Sequence, residues 1–115
     1  NNYGCIRDFM YIDDLISAFL LTGLLPDNYF DGRQFVVGSG EGHTIQKVWQ
    51  KVANTIGNVQ VEKNIQKIIE YAEKRNFVAD TSSFNKATSW KPKVDIDSGI
   101  NNTVEFTKKN FSKLI

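Results

Sequence analysis

Cysteine is almost absent from this 115-residue chain: Cys5 stands alone, which excludes an internal disulfide and any cysteine-rich zinc site. Histidine is as scarce. With His43 as the single example, a histidine-based metal site or a Ser–His or Cys–His triad has little support. Two prolines and eight glycines exclude collagen-like and low-complexity sequence. Neither sign of charge is in excess, with 14 Lys plus Arg against 13 Asp plus Glu, which argues against nucleic acid as a main partner. Long hydrophobic runs are missing too. The longest, Leu15 to Leu25, is interrupted by Ser17, Thr22 and Gly23 and falls short of the roughly 20 residues that span a bilayer. The start, Asn1-Asn2-Tyr3-Gly4, does not resemble a signal peptide. A soluble, reduced, cytoplasmic setting with no membrane partner is the expectation.

What is present suits a single domain over 1–115: 41% hydrophobic residues, too many for a disordered chain, and a length that supports one modest core. Charge is unevenly divided. Residues 1–43 carry Arg7 and Arg33 against six acids, whereas 44–115 carry twelve bases against seven. That asymmetry fits an anion site fed from the second part, and fits equally a solvated lysine-rich surface.

Ile6 to Ile12 reads as a β-prone stretch ending at Asp13-Asp14, either of which can cap a helix. The following Leu15–Leu21 segment is apolar almost all round, as in a helix buried on most sides. Pro26 to Arg33 is a turn region, after which Gln34-Phe35-Val36-Val37 has the continuous apolar character of a buried strand. Gly38-Ser39-Gly40-Glu41-Gly42 is a tight loop, and Thr44 caps the next helix. In that helix Ile45, Val48, Trp49, Val52, Ala53 and Ile56 share one face, and Gly57 stands where a C-cap glycine belongs. Val59, Val61 and Ile65 suggest a half-exposed strand, and Phe77-Val78-Ala79 a second short one. Phe84, Ala87 and Trp90 make a short helix that stops before Pro92. Asp97 caps a last helix facing inward through Ile100, Val104, Phe111 and Leu114. The alternation places the chain in the α/β class, with short strands and about four helices.

Among the residues that could carry chemistry, His43 beside the glycine loop reads as a surface residue, and Cys5 as a small buried apolar group. The Gly38–Gly42 loop follows a strand and opens a helix, a geometry that can offer N–H groups to phosphate. Its sequence is neither GxGxxG nor a P-loop. Arg7, inside a β-prone stretch and next to Asp8, suits either bidentate phosphate binding or a structural Arg–Asp pair.

Four segments together resemble one family. Arg7 to Leu15 is similar to the RDFIYVDDL stretch of the extended short-chain dehydrogenases/reductases, the nucleotide-sugar epimerases and dehydratases. Phe35 to Gly42 resembles their FNVGSGEG, also followed by an amphipathic helix. Val78 to Ser82 and Trp90 to Val94 resemble VADTSKAKKLLGWKPKV, and Asp97 to Ile100 the acidic start of their last helix. The resemblance covers roughly 4–107 and implies the carboxyl-terminal, substrate-binding portion of an extended Rossmann-type enzyme. Such enzymes bind NAD or NADP through a glycine-rich turn and use a tyrosine and a lysine four apart. None of Tyr3, Tyr11, Tyr29 and Tyr71 has that lysine. The resemblance therefore implies a fragment without its amino-terminal dinucleotide-binding domain, inactive alone, binding no cofactor itself and holding no catalytic residue or metal.

In the intact enzyme a hydride would pass from a sugar carbon to the nicotinamide. The family's arginine at Arg7 contacts the diphosphate of the nucleotide-sugar, with Phe9 beside it where some relatives have tyrosine. A second family arginine lies ten residues before the aspartate of the third motif. Here that position is Glu70, so Lys74 or Arg75 is left to take its place. Apolar surface turned toward the absent domain would favour self-association. The rival readings are a free-standing, non-catalytic module that binds nucleotide-sugars or proteins, and a scaffold piece serving assembly.

Overall fold

A computed structural model describes residues 5–26, 28–30, 32–57 and 75–114. Its elements are β1 (Ile6–Asp8), α1 (Ile12–Leu24), β2 (Gly42–Thr44), α2 (Ile45–Ile56), α3 (Ser82–Thr88) and α4 (Ile96–Leu114). The expected α/β class with four helices is what the fold contains. The strand expected from Val59, Val61 and Ile65 lies outside the described residues. Among the described residues, no helix is long and apolar enough to cross a membrane.

α2 follows its local signals. Thr44 stands in extended backbone (φ −70°, ψ 143°) and its side chain accepts from the Lys47 N–H at 3.2 Å. Such a cap contributes about 1 kcal/mol. Gly57, at φ 128°, ends the helix by donating its N–H to the Ala53 carbonyl. The apolar face divides: Ala53 is buried against α4, while Trp49 and Ile56 are half exposed.

The strands differ from expectation. β1 covers only Ile6–Asp8 and pairs antiparallel with β2, with Arg7 opposite His43. Gln34–Val37 forms no strand, because the Phe35 ring turns into an aromatic cluster and β1's partner is the segment after the loop. Phe77–Ala79 does run along the other edge of β1, where the Phe77 N–H donates to the Ile6 carbonyl at 3.0 Å. It is not a strand, for the Ala79 N–H goes to the Asp8 carboxylate at 3.1 Å instead of to a backbone carbonyl. A side chain has replaced a rung of the ladder.

α1 forms as expected but is not buried on most sides. Only Asp14 and Ala18 are buried, and Phe19, Leu20 and Leu24 are 67%, 64% and 83% exposed. Neither aspartate caps it. Tyr11 is the N-cap residue, without a side-chain bond, and Asp14 lies one turn inside. Its carboxylate accepts from the backbone N–H groups of Lys93 and Val94, at 2.9–3.0 Å, so it ties α1 to the start of α4.

α3 ends at Thr88, two residues short of the Trp90 that the Phe84–Ala87–Trp90 spacing includes. Ser89 adopts a left-handed conformation (φ 59°) and donates its N–H to Asn85. The Asn85 side chain then holds the Trp90 carbonyl at 2.7 Å. The reversal throws Trp90 inward, where its indole N–H donates to the Ser17 hydroxyl at 2.8 Å. Phe84, Trp90 and Ala18 are the buried centre of the main core, enclosed by Met10, Leu21, Phe30, Phe35 and Val37.

At α4 the capping residue is Asp95 rather than Asp97. Asp95 accepts from the Ser98 N–H and hydroxyl, both at 2.9 Å, whereas Asp97 pairs with Lys51 of α2. Ile100 and Val104 face inward as expected, Phe111 is largely exposed, and the Leu114 side chain lies outside the described residues.

Candidate functional site

Three strips of chain meet around β1: the Gly38–Thr44 segment on one side, residues 75–79 on the other, and β1 between them. The contact is close. A Cβ on Gly38 would lie 2.4 Å from the Ala79 Cβ and 2.8 Å from an Asp8 carboxylate oxygen. One on Gly42 would lie 2.5 Å from Ile6 and 2.8 Å from Val78. These two glycines are therefore required by packing.

Asp8 is the hub. One carboxylate oxygen accepts from the Ser39 N–H at 2.8 Å and the Ser39 hydroxyl at 2.6 Å; the other accepts from Gly40 at 2.9 Å and Ala79 at 3.1 Å. Partial burial raises its pKa, but the hydrogen bonds from Ser39, Gly40 and Ala79 outweigh it and hold the carboxyl below the ordinary aspartate value. The N–H groups that could have cradled a phosphate are thus directed at an internal anion. A dinucleotide pyrophosphate does not fit this loop, since Asp8 occupies its donors with a negative charge.

Arg7 is half buried, and one of its terminal nitrogens donates to the Ile6 carbonyl at 3.0 Å and to the Arg75 carbonyl. The adjoining residue, Asn76, accepts the Ile6 N–H through its side chain at 3.1 Å. The Arg7 guanidinium and the Arg75 backbone are therefore brought together by side-chain-to-main-chain bonds between β1 and the third strip. Lys74 lies outside the described residues. Phe9 is half buried and lines a mixed pocket of about 180 Å³ with Ser39, Glu41, His43, Lys93 and Asp95. Its other side borders an apolar groove of about 640 Å³ between α2 and α4, whose walls include Val48, Val52, Ile100 and Val104. That groove suits no diphosphate.

Sequence reasoning missed three contributors. In sequence Asp8 reads only as a partner for Arg7, because the loop N–H groups it accepts from are 31 and 32 residues away. Asn76 carried no signal. His43 is not a surface residue: its side chain is 12% exposed, it sits opposite Arg7 in β2, and its Nε2 is 3.7 Å from Glu41.

No family model matches the chain. In sequence it is 29% identical over 111 residues to a dTDP-D-glucose 4,6-dehydratase of Mus musculus, a match covering 91% of this chain and 30% of that protein. The fold is similar to WbmG of Bordetella bronchiseptica in complex with NAD, at 26% identity and a TM-score of 0.66, covering 91% of this chain and 32% of that one. It is also similar to a UDP-glucose 4-epimerase of Thermotoga maritima with UDP-glucose, at 24% identity and a TM-score of 0.75, covering 96% and 34%. The chain spans about a third of the length of these relatives and aligns with their carboxyl-terminal part.

Proposed function

We infer that this chain, similar in sequence and fold to the NAD-dependent nucleotide-sugar epimerases and dehydratases of the extended short-chain dehydrogenase/reductase family, is their substrate-binding portion. The observation that carries the reading is the match to the dehydratase along 91% of the chain, on a fold that aligns with sugar-nucleotide enzymes. Arg7 is the residue that holds the nucleotide diphosphate, with Phe9 flanking it and Lys74 and Arg75 supplying further positive charge. These three cations favour a diphosphate because their bonds to phosphate are charge-assisted, and those of the two guanidinium groups are also directional. The contribution to catalysis is positioning, which lowers a barrier without any acid or base of its own. Alone, the chain turns over no sugar nucleotide.

Calorimetric titration with UDP and dTDP tests this. Binding of one or both is expected, and Arg7→Ala should weaken it about tenfold, the scale of a lost charge-assisted hydrogen bond. Unchanged affinity in that variant would remove Arg7 from the site.

A second expectation concerns α1. Ile16, Phe19, Leu20 and Leu24 are exposed along it, more apolar surface than a single helix of a soluble monomer normally shows. The chain in isolation should dimerise or rearrange at micromolar concentration, and Phe19→Glu with Leu20→Lys should return it to a monomer. A wild-type chain that sediments as a clean monomer at all concentrations contradicts this.

A further inference from the structure

We propose that Asp8 is a positioning residue for Arg7: its carboxylate clamps the third strip against β1 and so sets where the Arg7 guanidinium is held for a nucleoside diphosphate. This rests on the reading that Arg7 contacts the diphosphate. One Arg7 nitrogen donates to both the Ile6 carbonyl and the Arg75 carbonyl, so part of its orientation follows the placement of residues 75–79. That strip is fastened to β1 at three further points: Asn76 by the Ile6 N–H, Phe77 by the Ile6 carbonyl, and Ala79 by Asp8. Two of these are at Ile6, so Asp8 is the anchor on the far side of Arg7. The same carboxylate binds Ser39 and Gly40, which locks the strip to the glycine loop as well. Gly38 allows this approach, since any side chain there would collide with both Asp8 and Ala79.

The charge of Asp8 also matters for the clamp. Its oxygens accept from four uncharged donors of loop and strip, which stabilise its negative charge in place. An amide in its place would aim an N–H₂ group at N–H donors, and the strip would separate from the loop.

The test combines two measurements on the full chain. UDP and UMP are titrated into wild type, Ser39→Ala and Asp8→Asn, each with and without Arg7→Ala, and the side-chain Nε–H signal of Arg7 is recorded by NMR without ligand. Ser39→Ala should weaken UDP binding about threefold and Asp8→Asn about tenfold, with smaller effects on UMP and no further loss once Arg7 is alanine. The Arg7 signal should move in both variants and stay in place in Thr88→Ala, which loosens α3 instead. Equal losses with and without Arg7, or an Arg7 signal that does not move, overturns the proposal. If Asp8→Asn does not fold, Ser39→Ala decides through the same two readouts. Should wild type bind no UDP, the substrate reading fails, while the Arg7 signal still decides whether Asp8 positions it.

Discussion

Phe84→Ala should cost the chain about 3–5 kcal/mol, the usual range for truncating a buried phenylalanine. Phe84 is 1% exposed and stands at the centre of the aromatic cluster. Its ring lies 5.6 Å from Trp90, 5.9 Å from Phe35 and 6.4 Å from Phe30, the first two edge-on and the last stacked. These rings come from α3, the segment after it, and the turn region after α1, so the cavity would sit where three parts of the chain meet. Phe30 and Phe35 cannot close over it without disturbing their own edge-on contact, with centroids 5.1 Å apart. A domain of this size has about 6–17 kcal/mol of stability in total, so the loss is a large share. Urea unfolding followed by tryptophan fluorescence measures it, because Trp90 is in the same cluster. A loss under about 1 kcal/mol would show that the core relaxes freely around the gap.

Asp14→Ala should have the next largest effect, about 2–4 kcal/mol, from leaving donors without their acceptor. Asp14 is 3% exposed, the one charged side chain among the buried residues described. Its two oxygens accept from the N–H groups of Lys93 and Val94, just before α4. Removal leaves two partly buried N–H groups unpaired and cuts the connection between α1 and the Pro92–Asp95 turn. Asp14→Asn keeps the shape but presents a donor to donors, and should recover only part of the loss. Amide exchange at Lys93 and Val94 is the direct readout. If both N–H groups remain as protected in Asp14→Ala as in wild type, the carboxylate is not their anchor.

Asp14 also shows why the site was only half legible. Acid residues at the start of a helix normally serve its N-terminus, and that expectation rests on neighbours one turn away. The partners Asp14 took are 79 and 80 residues along the chain. Asp8 is the same case: its donors Ser39 and Ala79 are 31 and 71 residues distant, and no spacing rule reaches them. Arg7 and Phe9 could be named because they stand in a recognisable motif, whereas Asn76 stands in none. The short strands failed for a related reason. An apolar run such as Phe35–Val37 is compatible with a strand, but becomes one only where a neighbouring backbone offers free N–H and C=O groups.

The presence of each helix was readable from local chemistry, though the caps of α1 and α4 and the end of α3 were not. α2 was legible in full, from the Thr44 cap through the apolar face to Gly57, because a helix satisfies its own backbone within four residues. The α/β class and the family resemblance were equally present in the order of short motifs. Tertiary structure alone decided which strip pairs with β1, that Asp8 binds the glycine loop and Ala79, that Asp14 is an internal anchor instead of a helix cap, and that α1 shows its apolar side to solvent. Each of these depends on which distant groups arrive at a surface, and burial and hydrogen-bond satisfaction are settled only when the chain has closed on itself.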